Sequence, residues 1–250
     1  MPSNDIKGTA VLVTGASRGF GRGIAAALSG AGAAVVGVAR DGAALGELHA
    51  ELGESFTPVS ADAADPTVAG QLIDAYQPGI LVLNAGAAPL SRPLQQHTWE
   101  TFSVNWGTDV KQVFHWLREA LLAPLAPGST VIVMSSGAAL RGSPLSGGYA
   151  GSKATIRFIT SYAAAESERA GLGIRFISVL PQLTPATELG AAAVAAYAAR
   201  EGMDVAAYRE RSGPALTPGQ AGEAFVALAS DPGHAAGSYL LTAAGLSPVP

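Results

Sequence analysis

Short, uninterrupted runs of aliphatic and β-branched residues alternate along this chain with segments whose apolar residues recur at helical spacing, and few architectures accommodate that order. Strand-like runs occupy 9–14 (TAVLVT), 33–39 (AAVVGVA), 80–83 (ILVL), 130–134 (TVIVM), 174–180 (IRFISVL) and 238–242 (SYLLT). A poorer one at 56–61 (FTPVSA) carries Pro58, which suits an irregular or edge strand. Between them the pattern predicts helices over 19–28, 42–52, 66–76, 99–122, 149–170 and 218–230, the first stopped by Gly30 and Gly32. Strands without a polar face are strands buried on both sides, and strict β/α alternation places helices on both faces of a parallel sheet. The expectation is an α/β, Rossmann-type doubly wound parallel sheet of about seven strands. A closed eightfold barrel needs eight comparable units, and the chain supplies seven with a weak third.

At 250 residues, one domain spanning 1–250 can hold this sheet with a large core. The alternation breaks only over 184–217, an Ala-rich stretch with Tyr197, Met203 and Tyr208, expected to form a helical substrate lid beside the sheet's carboxyl edge. With 48% hydrophobic and 14% charged residues the chain is no disordered polymer. The absence of cysteine removes disulfides, thiolate metal sites and a cysteine nucleophile. A net charge of −4 without any basic cluster argues against a nucleic-acid partner. No apolar run reaches a membrane span and the N-terminus lacks signal-peptide character, so a soluble cytoplasmic protein is expected, with no membrane partner.

Two constellations carry chemistry. After the first strand comes Thr14-Gly15-Ala16-Ser17-Arg18-Gly19-Phe20-Gly21, a glycine-rich turn that opens a helix. Glycines let the backbone approach a pyrophosphate, and the helix start offers unpaired N–H groups and a favourable dipole. The second is Tyr149 and Lys153, at i and i+4 on one helical face. An ammonium beside a phenol stabilises the phenolate and makes the phenol a usable acid or base. Ser136 lies 13 residues before Tyr149 at the carboxyl end of the fifth strand, where open α/β sheets bind ligands. Asn105 sits inside a long helix, as a surface amide or as a buried one needing partners.

Together these motifs resemble the short-chain dehydrogenase/reductase family, in its single-domain branch of about 250 residues, over residues 8–245. The resemblance rests on TGxxxGxG at 14–21, the acid Asp62 after the third strand, Asn84-Ala85-Gly86, Asn105, Ser136, and YxxxK at Tyr149 and Lys153. It implies hydride transfer between a nicotinamide cofactor and a carbonyl or secondary alcohol. Tyr149 would donate the proton and Ser136 would orient the carbonyl. Lys153 would bind the cofactor ribose and ease Tyr149 ionisation, and Asn105 would hold a relay water. It further implies a cofactor site formed by Gly15, Ser17, Arg18, Gly19, Phe20, Gly21, Arg40, Asp62, Ala63, Asn84, Ala85, Gly86, Tyr149, Lys153, Pro181 and Thr184, and a homodimer or homotetramer to which the run 239–246 contributes. Three positions depart from the family pattern: Leu83 precedes Asn84-Ala85-Gly86, Gln182 follows Pro181 where glycine is common, and the end reads Thr242-Ala243-Ala244-Gly245.

Charge selects among cofactors. A carboxylate ending the second strand would bond a ribose 2′-hydroxyl and repel a 2′-phosphate, whereas this chain has Ala39 then Arg40, with Arg18 in the glycine loop. NADP(H) is therefore expected over NAD(H). The bland alternative makes Arg40 a solvated cation and Asp41 a helix cap. His49, His97, His115 and His234 lack ligand spacing, so no metal is expected. Trp99, Trp106 and Trp116 read as helix-packing or core residues. Apolar surroundings at 87–94 and 138–145 suit an uncharged carbonyl substrate, with Arg92 and Arg141 available to an anionic one. The competing functional reading is a catalytically silent nucleotide-binding regulatory or scaffold protein of the same fold.

Overall fold

Eight strands form a single sheet in the order β3-β2-β1-β4-β5-β6-β7-β8 in a computed structural model that describes residues 5–235 and 237–250. They are β1 (Ala10–Thr14), β2 (Ala34–Ala39), β3 (Phe56–Ser60), β4 (Ile80–Leu83), β5 (Thr130–Met134), β6 (Arg175–Pro181), β7 (Ser238–Thr242) and β8 (Gly245–Pro248). The first seven run parallel, and β8 returns antiparallel to β7 across Thr242↔Gly245. From β1 the chain winds outward through β2 to β3, then crosses to β4 and winds the other way. The carboxyl ends of β1 and β4 thus flank the crevice where such sheets take ligands.

Alternate residues of each strand feed two cores. Val11 and Val13 face Ile24 and Leu28 of α1 (Gly19–Gly30) and Phe225 and Leu228 of α9 (Pro218–Ser230). Leu12, Leu81 and Val131 face Trp116 and Leu117 of α5 (Lys111–Leu122), Ile156 and Ala163 of α6 (Tyr149–Ala170), and Ile73 of α3 (Val68–Tyr76). Burying each such side chain contributes about 1.5–3 kcal/mol, which explains why the strands tolerate no polar face. The helix α2 (Gly42–Leu52) adds Leu45 and Leu48 to the first core, and Asp41 caps it by accepting from the Ala44 N–H at 3.0 Å.

The helices over 42–52, 149–170 and 218–230 and the strands over 80–83, 130–134 and 238–242 match the sequence pattern residue for residue. Pro58 lies on the edge strand β3, where its missing N–H disrupts no ladder on the open side. Two differences matter. The single helix expected over 99–122 is instead α4 (Trp99–Asn105), a π turn at Trp106–Val110, and α5. The eighth strand, only Gly245–Pro248, was not anticipated, because its four residues include a glycine and a proline. The stretch expected to be a helical insertion contains α7 (Glu188–Arg200) and α8 (Val205–Arg211). Of the three tryptophans expected to pack, Trp116 is fully buried, but Trp99 and Trp106 are 72% and 40% exposed. Trp116 lies on the buried stripe of its helix, and the other two lie off it. Among the described residues no helix is long and apolar enough to cross a membrane.

Candidate active site

The glycine turn is built against the end of β4. A Cβ on Gly15 would lie 2.7 Å from the Ala85 Cα, and the residue's φ of +70° is itself one that side chains rarely adopt. A Cβ on Gly21 would meet the Gly15 carbonyl oxygen at 2.0 Å. The Asn84 amide donates to the Thr14 and Gly15 carbonyls, both at 3.2 Å, and so staples the turn to β4. Ser17, Arg18, Gly19 and Phe20 complete the turn and enter α1. Arg18 occupies the N-cap without a side-chain cap hydrogen bond, and the first turn holds no acid. Those N–H groups and the helix dipole, over a floor with no room for side chains, fit a pyrophosphate.

A buried polar network fixes this floor from below. The Thr14 hydroxyl donates to the Gln112 Oε1 at 2.7 Å and accepts from the Asn84 and Ala85 N–H groups at 2.9 and 3.1 Å. The Gln112 Nε2 returns to the Ala85 carbonyl at 2.8 Å. In the loop after β3, the Trp116 indole N–H holds the Ala63 carbonyl at 2.9 Å, and Asp62 accepts the Ala64 N–H at 3.0 Å. Arg40, at the end of β2, is exposed.

At the other side of the crevice, Tyr149 and Lys153 occupy the first two turns of α6, the Lys153 Nζ 5.5 Å from the Tyr149 ring centroid. The Ser135 hydroxyl donates to the Lys153 carbonyl at 2.8 Å and ties β5 to this helix, which brings the neighbouring Ser136 beside it. Ser136 caps the short turn Gly137–Ala139 by accepting from the Ala138 N–H at 3.2 Å. The Lys153 ammonium is buried and pairs with the Asp109 Oδ2 at 3.0 Å, and it also donates to the Met134 carbonyl at 3.3 Å. Burial alone would lower the lysine pKa; the adjacent Asp109 carboxylate, with Tyr149 and the Asp109 hydrogen bond, outweighs it and raises the value above the usual 10.5. Asn105 is buried, not a surface amide, and donates to the Ala87 carbonyl at 2.7 Å and toward Asp109 at 3.4 Å.

Asp109 and Gln112 are the functional-site residues that sequence reasoning missed. A signal exists: the buried stripe Val113, Trp116 and Ala120 continues backward through Gln112, Asp109 and Asn105 at helical spacing, so three polar residues stand where apolar ones belong.

Pro181 ends β6, and the insertion leaves immediately after it. The Gln182 amide donates to the Pro214 carbonyl at 2.9 Å. Thr184 is buried, and its hydroxyl donates to the Leu216 carbonyl at 2.8 Å. These two bonds close the neck of the insertion. Thr187 caps α7 and comes within 3.7 Å of where a Gly19 Cβ would stand, and Arg18 pairs with Glu188 at 3.0 Å across the glycine loop.

A family model for short chain dehydrogenases matches residues 9–198. The chain belongs to the short-chain dehydrogenase/reductase family. It is 30% identical to L-xylulose reductase of Bos taurus over 183 residues, covering 72% of this chain and 74% of the relative. It is 31% identical to a probable NADP-dependent dehydrogenase of Haemophilus influenzae, covering 73% and 74%. Among solved structures, a putative NAD(P)-dependent gluconate 5-dehydrogenase from Beutenbergia cavernae with bound NADP superposes with a TM-score of 0.80 at 26% identity, over 95% of this chain and 96% of the other. A 3-ketoacyl-(acyl-carrier-protein) reductase from Brucella melitensis, complexed with NADH, shares the fold with a TM-score of 0.77 at 24% identity, over 95% and 97%. Family membership makes this an oxidoreductase of the short-chain dehydrogenase/reductase type. The glycine turn, Asn84-Ala85-Gly86, Lys153 and Tyr149 are joined in one run of contacts through the Asn84 amide and the Asp109 carboxylate.

Proposed function

We propose that this protein reduces small carbonyl compounds, or oxidises the corresponding secondary alcohols, with NADP(H) as cofactor and Tyr149 as the general acid/base. The observation that carries the reading is the Tyr149–Lys153 pair on one face of α6, with the ammonium 5.5 Å from the phenol ring beside the carboxyl edge of β5. When bound, the nicotinamide supplies or accepts the hydride. In the reducing direction Tyr149 gives its hydroxyl proton to the carbonyl oxygen as negative charge develops there, and Ser136 donates a hydrogen bond to the same oxygen. Lys153 holds positive charge next to the phenol and takes a ribose hydroxyl, and Asn105, fixed by Ala87, lines the path for proton replacement.

NADP(H) is favoured because Arg18 and Arg40 are exposed cations on the two edges that border the adenosine ribose, and Ala39 places no carboxylate against a 2′-phosphate. Gly15, Ser17, Gly19, Phe20 and Gly21 would hold the pyrophosphate, Asp62 and Ala63 the adenine, and Asn84, Ala85, Gly86, Pro181 and Thr184 the nicotinamide side. Residues 184–217 serve as the substrate lid. Relatives named for L-xylulose and D-erythrulose make small ketoses the first substrates to try. The chain would act as a homodimer or homotetramer, and its exposed Phe114, Phe158 and Tyr162 offer apolar surface for that contact.

The test couples NADPH absorbance to a panel of ketoses, simple ketones and aldehydes, with Tyr149→Phe alongside. Turnover by the parent and its loss in the variant support the reading. Retained turnover in Tyr149→Phe removes the acid assignment, and failure of the parent to bind either nucleotide removes the enzyme.

A further inference from the structure

Asp109 is the only buried carboxylate among the described residues, and nothing in the reaction just described uses it. Burying a carboxylate costs several kcal/mol unless partners replace its water. Here the partners come from three elements. The Lys153 ammonium of α6 lies 3.0 Å from Oδ2, the Ala87 N–H of the loop after β4 lies 2.8 Å from Oδ1, and the Asn105 amide of α4 lies 3.4 Å from Oδ1. The fit is close: a Cβ on Gly86 would stand 2.8 Å from Oδ2, so the carboxylate fills the space beneath the Asn84-Ala85-Gly86 turn. It sits on the π turn, whose extra width carries the side chain to this position.

Fold stability alone gives little reason for such a pair, since replacing a buried ion pair with apolar side chains is often neutral or stabilising. The pair does change the electrostatics of the site. As long as it keeps its proton, Lys153 without Asp109 would present an uncompensated positive charge to the Tyr149 ring; with Asp109 on it, the local charge sums to zero.

We propose that Asp109 is a positioning residue of the reaction centre: its carboxylate fixes the Lys153 ammonium and, by its own charge, limits how strongly that ammonium favours ionised Tyr149. This rests on the reading of Tyr149 as the acid. Other titratable groups near the start of α6 are held elsewhere. His97, packed on Gly147, contacts the Arg92 carbonyl and the Thr101 hydroxyl, both at 3.2 Å, and the Tyr197 hydroxyl of α7 bonds the Ser143 hydroxyl. Arg141 is exposed.

The test reads tyrosinate formation directly, by ultraviolet titration of the full chain without substrate or cofactor, assigning the Tyr149 component by subtracting the Tyr149→Phe titration. Asp109→Asn keeps an oxygen for the Ala87 N–H and removes the charge. Its Tyr149 component is expected to ionise at lower pH than the parent's by about one unit, the scale of one nearby unit charge at a partly screened site. Asp109→Glu, which keeps the charge, is expected to titrate near the parent. The alkaline limb of kcat for carbonyl reduction should move down with the Asn variant. Superposable titrations of Asp109→Asn and parent, or a Tyr149 component that moves to higher pH because the unpaired Lys153 has given up its proton, overturn the proposal. Should the Asn variant not fold, Asp109→Ser takes its place; if both neutral variants unfold while Asp109→Glu folds, the carboxylate is only a structural requirement and the proposal fails. Loss of the acid assignment is a separate outcome, read from turnover of Tyr149→Phe, and leaves the titration interpretable.

Discussion

Thr14 at the end of β1 and Gln112 on α5, 98 residues apart in sequence, share a buried hydrogen bond of 2.7 Å, and through it the glycine turn, the β4 turn and a helix become one unit. Gln112 gives its oxygen to the Thr14 hydroxyl and its amide to the Ala85 carbonyl, leaving neither end of the side chain unpaired. Gln112→Leu preserves bulk, removes the amide from the Ala85 carbonyl and leaves the Thr14 hydroxyl only the longer contact to the Val82 carbonyl at 3.4 Å. It is expected to lower the unfolding free energy by about 1–3 kcal/mol, measured by urea denaturation, and to weaken nucleotide binding in calorimetric titration. A variant as stable as the parent means the network has another partner in reserve.

Gly15→Ala introduces a methyl 2.7 Å from the Ala85 Cα at a backbone φ of +70°. The turn must move to accept it. Affinity for both NADPH and NADH should fall at least about tenfold, because the pyrophosphate meets backbone here and not a discriminating side chain. Unchanged binding would place the pyrophosphate elsewhere.

Glu188→Gln frees Arg18 from an exposed ion pair of 3.0 Å. Such pairs contribute about 0–1 kcal/mol, so NADPH affinity should rise no more than about fivefold, mainly at low salt, while NADH affinity stays put. Equal gains for both nucleotides would separate Arg18 from the 2′-phosphate. Arg40→Ala should weaken NADPH binding alone.

Lys153 ionises above the usual 10.5, because the Asp109 carboxylate and Tyr149 outweigh the burial that opposes its charge. A lysine whose folded-state pKa is raised stabilises the fold fully below its unfolded value and loses that contribution as pH rises through the folded one. Lys153→Met leaves Asp109 without its cation and should cost about 3–5 kcal/mol at neutral pH. As pH rises from neutral, the gap between parent and variant should stay constant to about pH 10 and narrow only beyond it, as followed by denaturation at stepped pH. A gap that narrows between pH 6 and 8 would implicate a histidine instead.

Much of this molecule can be read from its sequence because the apolar runs are clean and the stops are strong. The strands over 80–83 and 130–134 and the helix over 149–170 are bounded by glycine, proline or a turn, and the structure keeps those bounds. The Tyr149–Lys153 pair was legible because i and i+4 share a face. The π turn at Trp106–Val110 was not, since apolar and polar residues continue through it at nearly helical spacing and only the hydrogen bonds widen. Around it the buried positions go to Asn105 and Asp109, and Trp106 stands beside them, exposed. Asp109 and Gln112 escaped notice because a polar residue on an amphipathic helix is ordinarily assigned to water. The partner of Gln182 could not be read for a different reason: the Pro214 carbonyl that receives its amide lies 32 positions away.

The insertion between β6 and α9 departs and returns through two side-chain bonds, Gln182 to Pro214 and Thr184 to Leu216. Its helices therefore hang from a clasp and not from two independent ends. Because closing a loop costs entropy only logarithmically in its length, the clasp holds a longer or shorter insertion almost as readily as this one. The insertion can thus be exchanged as a cassette, with the sheet and the Tyr149–Lys153 pair left untouched and only the Arg18–Glu188 contact to the glycine turn lost.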